Sequence, residues 1–170
     1  RGYAVGPSRA NPYTGELYDA DIRISADFVR SFYRAYTEFV TPLIGPVAMD
    51  FETEDFKEEF SSDICMYGDH LREEMASAWD IMTATGKING TDAELQDYIH
   101  KGLVDLILHE VGHTLGLRHN FKASSIYSIE QLSDPSFTQN YGISGSVMDY
   151  QPINIFDGVT FFQTRPGIYD

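Results

Sequence analysis

Three histidines fall within the stretch His109-Glu110-Val111-Gly112-His113-Thr114-Leu115-Gly116-Leu117-Arg118-His119. Residues four apart on a helix are separated by about 40° around its axis, so the imidazoles of His109 and His113 face the same point. Glycine tolerates the left-handed conformation that ends a helix, so Gly116 predicts a sharp turn that brings His119 back towards the other two. Three imidazoles around one point predict a tetrahedral zinc site whose fourth position is open to water.

Glu110 follows the first predicted ligand, and its carboxylate is expected to project beside the metal rather than to bind it. Zinc lowers the pKa of bound water to about 7, so a carboxylate there can accept the proton and pass it to a leaving group. The pattern therefore predicts a catalytic site with Glu110 as general base. The plainer interpretation is an amphipathic helix with incidental histidines. His100 is of that kind, because it faces away from His109, and His70 is not a predicted ligand either.

The predicted active-site helix occupies residues 91–116. Thr91 and Glu94 have the spacing of a capping box, which marks where a helix begins. From there the helix can continue to about Leu115 without a helix-breaking residue. The helix is therefore expected to carry both His109 and His113 close to its C-terminal end.

The residues before this helix contain strands and then helices. Extended residues at Gly2–Pro7 and Leu17–Ile24 flank a turn-rich stretch at 11–15, which predicts a hairpin. Two helical patterns follow, at about 26–40 and 69–84. Two strands are too few for an independent sheet, so we expect further strands from sequence upstream.

These elements predict an α+β fold in a single domain, residues 1–170, which is long enough to bury a core. The predicted parts along the chain are an edge hairpin at 1–24, a helical stretch at 26–84, the active-site helix at 91–116, and mostly loops at 117–170 with a short helix near 129–132.

The composition excludes several classes of partner. A net charge of −14 argues against nucleic acid and against docking on anionic lipid. No run is apolar and long enough to insert into a membrane, and no signal peptide is visible. Ten acidic residues lie between Asp50 and Glu74, which favours a solvated face. A calcium site there is the alternative, but no calcium-loop spacing supports it.

The pattern His-Glu-x-x-His-x-x-Gly-x-x-His resembles the metzincin clan of zinc endopeptidases. That clan has a Met-turn beneath the metal, and Ser146–Tyr150 is similar to it. The resemblance implies that Met148 forms the apolar floor of the site. It also implies that Tyr150 can approach the zinc and stabilise the oxyanion. The ordinary interpretation of Met148 is a core methionine, and that of Tyr150 is a packed aromatic ring.

A closer resemblance is to bacterial zinc-dependent metalloproteases with a Met-zincin domain. The similar stretches are Gly6-Pro7, Thr14–Glu16, Ala20–Ile22, His109–Ser124, and Ser146–Tyr150 with Asn154. The resemblance implies a metzincin-like zincin fold of few strands, lacking N-terminal strands in this chain, and one catalytic zinc ion. It also implies an extended peptide or protein substrate, bound along the Tyr3–Pro7 strand, and an exported protein.

Two alternatives stay open at the level of the sequence. One is a zinc hydrolase acting on a non-peptide amide or ester, and the other is a catalytically silent, zinc-stabilised binding module. The single cysteine, Cys65, excludes an internal disulfide. It can block a zinc ion as a thiolate, but without a recognisable propeptide around it we expect an incidental buried thiol. Asn120 and the oligomeric state receive no assignment, and Asn120 is expected only to orient its loop.

Overall fold

The computed structural model describes residues 4–6, 8–26, 29–30 and 65–168, which have a mixed α+β fold. The strands are β1 (Ala4–Val5), β2 (Ser8–Ala10), β3 (Leu17–Ala20) and β4 (Arg23–Ile24). The helices are α1 (Tyr67–Ala84), α2 (Asp92–Thr114), α3 (Ile129–Leu132) and α4 (Pro135–Tyr141), with a 3₁₀ turn at Ala123–Ser125.

Two predictions fall mainly on undescribed residues. The predicted helix at 26–40 lies outside the described residues except for Ala26, Val29 and Arg30, and most of the acidic segment 50–74 lies outside them too. Among the helices that are described, none combines the length and the apolar character needed to span a membrane.

The predicted hairpin is confirmed, with each of its two strands in two parts. β1 pairs with β4 and β2 pairs with β3, both antiparallel, so that Ala4 lies opposite Ile24 and Ser8 opposite Ala20, and the register shifts between Arg9 and Ala10. Residues 21 and 22 interrupt the second strand. In the turn, the side chain of Asn11 accepts a hydrogen bond from the backbone N–H of Tyr13 at 2.9 Å, as short polar turn residues commonly do.

The core lies between α1 and α2. Helix α1 begins two residues before the predicted range of 69–84, and its buried face includes Leu71, Met75, Trp79 and Met82. The helices approach closely at Gly102, where a β-carbon would come within 2.7 Å of the Met75 side chain. The largest buried side chains of this core are Tyr67, Leu71, Met75, Met82, Leu95, Tyr98, Leu106 and Phe162. Packing of this kind fixes the direction of α2 and therefore of its C-terminal end.

Helix α2 begins as predicted. The Thr91 hydroxyl accepts from the backbone N–H of Glu94 at 3.3 Å, and the Glu94 carboxylate accepts from the backbone N–H of Thr91 at 3.0 Å. These hydrogen bonds from Thr91 and from Asn89 lower the pKa of Glu94 to about 2. The capping box thus keeps a negative charge at the N-terminus of the helix, where it is favourable.

Helix α4 was not predicted, because residues 117–170 were expected to be loops apart from the short helix at Ile129–Leu132, which is confirmed. The side chain of Asp134 caps α4 by accepting from the backbone N–H of Ser136 at 2.9 Å. Pro135 occupies the first turn, where a missing N–H costs nothing. The pair Asp134-Pro135 was therefore a usable signal for a helix start.

Candidate metal centre

The C-terminal end of α2 brings the three predicted histidines together. His109 and His113 lie on consecutive turns of the helix, and their ring centroids are 4.9 Å apart. His119 returns from the following loop, so that its Nε2 lies 3.1 Å from Nε2 of His113. The structure therefore places all three imidazoles around one point, as the spacing predicted.

The return of His119 depends on how the helix ends. Gly116 has a φ of +87°, and its N–H donates to the carbonyl of His113 at 3.0 Å. The N–H of Leu117 donates to the carbonyl of Gly112, also at 3.0 Å. This pair of bonds is a Schellman motif, in which the left-handed residue reverses the chain direction. The glycine thus turns the chain within a few residues of the second histidine.

Hydrogen bonds fix the ring orientation of two histidines. Nδ1 of His109 lies 2.6 Å from the carbonyl oxygen of Val147, and Nδ1 of His113 lies 3.1 Å from that of Leu117. A carbonyl oxygen only accepts, so each Nδ1 carries the hydrogen and each Nε2 presents a lone pair. Burial lowers the pKa of His109 to about 3 and also lowers the pKa of His119. The rings of His109 and His119 are therefore neutral, the form that binds metals.

A fourth donor atom stands among the imidazoles. Sγ of Cys65 lies 3.3 Å from Nε2 of His109 and 3.5 Å from Nε2 of His119. The donor atoms of Cys65, His109, His113 and His119 all lie within 4.8 Å of one another. The expected incidental thiol is thus buried, but it belongs to this donor cluster. Burial raises the pKa of Cys65 to about 11.

These separations fit a tetrahedral zinc ion. With ordinary zinc–nitrogen and zinc–sulfur bond lengths, two tetrahedral ligand atoms stand about 3.3 to 3.6 Å apart. Three of the six separations, 3.1, 3.3 and 3.5 Å, lie close to that range, and the others lie within 4.8 Å. Histidine nitrogen and cysteine sulfur are also the donor types that zinc prefers. The residues present therefore fit the metal that the sequence implies.

Glu110 lies beside the donor cluster and is fully buried. Within the described part of the chain, neither of its carboxylate oxygens has a hydrogen-bond partner. Burial raises the pKa of Glu110 to about 7, an effect that the neighbouring Cys65 thiol partly offsets. An unpaired buried carboxyl group is costly, and such groups are found mainly where a ligand, an ion or a reaction uses them.

Tyr150 also contacts the donor cluster. Its hydroxyl lies 3.3 Å from Nε2 of His119 and 3.3 Å from Sγ of Cys65. It also accepts from the backbone N–H of Met66 at 3.1 Å. Burial and the contact with Cys65 raise the pKa of Tyr150 above its ordinary value, so the hydroxyl keeps its proton.

The turn at residues 146–150 contacts the metal centre through its backbone carbonyls and the Met148 side chain. The carbonyl of Val147 holds His109, and the carbonyl of Met148 accepts from the backbone N–H of Asn120 at 2.8 Å. The Met148 side chain is buried and packs against Gly112. This glycine lies between His109 and His113 in the sequence of α2. Asn120 thus orients its loop through its backbone, next to His119. Gly112 leaves the space that the methionine fills.

Gly112→Ala should reduce the free energy of unfolding by about 1 to 3 kcal/mol, because the new β-carbon would overlap Sδ of Met148. In a Met148→Ala background the same change should cost almost nothing, since the truncated side chain leaves room for a methyl group. Chemical denaturation of the metal-free single and double variants measures this coupling. Equal costs of Gly112→Ala in both backgrounds would show that the two residues do not interact.

A buried polar cluster lies behind the metal centre. The Tyr67 ring stacks on His109 at 4.3 Å between centroids, and its hydroxyl donates to the Asp105 carboxylate at 2.9 Å. The same carboxylate accepts from Nε2 of Gln151 at 3.2 Å and from the backbone N–H of Gln163 at 3.1 Å. Burial raises the pKa of Asp105 to about 7. The cluster ties α1, α2 and the C-terminal residues together one helical turn before His109.

Sequence reasoning missed three features of this centre. Gly112 lies inside the predicted helix, where a glycine indicates that another group packs closely against the backbone. Asp105 was visible as a charged residue four positions before His109. Cys65 carried no local signal, because it is 44 residues from His109 and no spacing rule connects them. Neither His70 nor His100 belongs to the donor cluster found among the described residues.

Comparison with known proteins bears on the C-terminal half of the chain. Residues 91–170 match the model of the Met-zincin family. No curated protein and no solved structure matches the chain. The matched segment contains helix α2 with its histidines and the turn around Met148. The match supports a metzincin-type Met-zincin domain over residues 91–170.

Proposed function

We propose that the protein is a zinc-dependent endopeptidase that hydrolyses peptide bonds without a covalent intermediate. The family match and the cluster of three imidazoles support this proposal. The observation that carries it is Glu110, whose buried carboxylate has no hydrogen-bond partner among the described residues and lies beside the donor atoms. A structural zinc site has no use for such a group, whereas hydrolysis requires one.

The residues of the chain divide the chemistry between them. His109, His113 and His119 would hold the ion, and a zinc ion there supplies Lewis-acid activation of the scissile carbonyl and of water. Glu110 would accept a proton from the attacking water and return it to the nitrogen of the leaving amine. The Tyr150 hydroxyl, a proton donor 3.3 Å from Nε2 of His119, would donate to the oxyanion.

The position of β1 supports an extended peptide as substrate. Gly6 follows β1 and packs so closely on α2 that a β-carbon there would lie 2.5 Å from the carbonyl oxygen of Glu110. A peptide that adds to the edge of this strand would therefore run past the end of α2. The proposed substrate strand, Tyr3–Pro7, is described only at residues 4–6. Export of the protein is part of the same proposal and rests on the family resemblance.

A second candidate function has one observation in its favour. Cys65 stands where a fourth ligand would be, and four protein ligands are the arrangement of structural zinc sites. That arrangement favours a catalytically silent, zinc-stabilised binding module. A zinc hydrolase of esters or non-peptide amides would use the same residues as the peptidase.

Metal content and substrate screening separate these functions. The purified protein should contain one zinc ion and should cleave casein or members of a peptide library in a way that a chelator abolishes and added zinc restores. A panel of small esters and amides should be cleaved poorly. Hydrolysis of the small panel alone would favour the non-peptide hydrolase. Full zinc occupancy with no hydrolysis, including in Cys65→Ser, would favour the silent module.

Tyr150→Phe should lower kcat for a peptide substrate on the order of a hundredfold with a smaller change in KM, because it removes one oxyanion donor. Steady-state kinetics of the zinc-loaded protein checks this. Tyr127→Phe is the matched control, since its hydroxyl bonds the carbonyl of Tyr141 away from the metal centre. An unchanged kcat in Tyr150→Phe would limit the tyrosine to packing.

A further inference from the structure

The segment just before α1 contacts the metal centre through two groups. Sγ of Cys65 lies within 3.5 Å of two imidazole nitrogens, and the backbone N–H of Met66 donates to the Tyr150 hydroxyl at 3.1 Å. Two consecutive residues therefore occupy both the fourth donor position and the hydroxyl assigned above to the oxyanion.

We propose that Cys65 binds the metal as its fourth protein ligand, as a thiolate, and thereby excludes the substrate carbonyl until residues 65–66 move away. The inference rests on the proposed function, because it concerns the regulation of the same site. Zinc in protein sites is usually four-coordinate, so a bound thiolate and an incoming carbonyl compete for one position. Thiolate is also a strong ligand for zinc, so the competition favours the closed arrangement.

A second observation distinguishes this site from a purely structural one. The Glu110 carboxylate is fully buried beside the cluster without a hydrogen-bond partner in the described part of the chain. A structural site of three histidines and a cysteine would carry this group at a cost and gain nothing from it. The unused carboxylate indicates that the parts of a hydrolytic site are present and that Cys65 closes it.

The local structure allows residues 65–66 to move while α1 stays in place. Met66 is the N-cap of α1, but its side chain makes no capping hydrogen bond and is 55% exposed. Tyr67, in contrast, is fully buried and anchored on Asp105. Displacement of Cys65 would therefore break its metal bond and the Met66–Tyr150 hydrogen bond without disturbing the packed face of the helix.

Cobalt substitution tests the ligand directly, without any activity measurement. Cys65 is the only cysteine, so a thiolate-to-cobalt charge-transfer band can arise from no other residue. We expect the band in the cobalt-loaded wild-type protein and in Met66→Ala, which alters only the exposed neighbouring side chain, and its loss in Cys65→Ser. Identical spectra of the wild type and Cys65→Ser would overturn the proposal.

Thiol alkylation gives a second readout that needs no variant. Iodoacetamide should modify the zinc-loaded wild-type protein at least about tenfold more slowly than the metal-free protein, because a metal-bound thiolate is a poor nucleophile and is held in place. Both samples are compared by circular dichroism to confirm the same fold. Equal alkylation rates in folded samples would contradict ligation by Cys65.

Activity then tests the blocking role separately. Zinc-loaded Cys65→Ser should cleave the peptide library at least about tenfold faster than the wild type, if the closed arrangement predominates by that ratio. Equal cleavage rates would overturn the blocking role even with the cobalt band present. If neither protein cleaves peptides but the band is present, Cys65 is a ligand and the peptidase function is wrong. Cleavage by the wild type without the band would support the peptidase function and exclude Cys65 as a ligand.

Discussion

Glu110→Gln should lower peptide hydrolysis by about a thousandfold while the protein still binds one zinc ion. Glutamine has nearly the shape of glutamate, so the packing around this buried residue should be preserved. Its amide cannot accept the proton of the attacking water. The wild-type carboxylate meets the geometry of a hydrogen bond with no described residue, so besides its electrostatic contact with the Cys65 thiol the change should alter little else. Zinc content and kcat/KM for a library peptide are the two measurements.

Glu110→Asp is the matched control for this prediction. It keeps the carboxylate but withdraws it by one methylene, so it should retain more activity than glutamine and less than glutamate. Both variants should also be measured with Cys65→Ser, which removes the thiol from the comparison. Wild-type activity in Glu110→Gln with full zinc occupancy would exclude Glu110 as the general base.

Asp105→Ala should reduce the free energy of unfolding of the metal-free protein by about 3 to 4 kcal/mol, because it leaves buried donors without an acceptor. The hydroxyl of Tyr67 and the backbone N–H of Gln163 would lose their partner. Chemical denaturation measures the change. Asp97→Ala on the exposed face of α2 is the control, and it should lose far less, since its ion pair with Lys101 is exposed. A similar small loss in both variants would contradict this account.

The Asp105 carboxyl group also predicts a dependence on pH. Its pKa is raised from 3.8 to about 7 in the folded protein, so the folded state retains the proton more strongly than the unfolded chain. The contribution of this group to stability is therefore full below about pH 4 and is lost as the pH rises towards 7. Asp105→Asn lacks this titration, so its stability relative to the wild type should increase between those values. A constant difference would contradict the raised pKa.

The parts of the centre that depend on local spacing could be predicted from the sequence. The capping box, the turn at Gly116 just after α2 and the return of His119 each follow from residues within a few positions of one another. A helical period or a glycine at a helix end is a local property, so the order of residues alone indicates it. The hairpin was predictable for the same reason, since its register is set by the turn that closes it.

The parts that depend on distant residues could not be predicted. Cys65 joins the histidines only because α1 packs along α2 and places its own N-terminal end beside the C-terminal end of α2. Asp105 finds its partners on α1 and in the C-terminal residues, and no pattern in the sequence pairs them. Such contacts are decided by how helices pack, which the order of residues does not reveal.

A metal ion held by Cys65 and the three histidines would also act as a cross-link. It would close a loop of 44 residues between Cys65 and His109, much as a disulfide does, and so would remove conformational freedom from the unfolded chain. A cysteine that gives up its place to a substrate would open that loop. Activity would then require the segment before α1 to lose stability. The three histidines would still bind the metal and hold the rest of the domain in place.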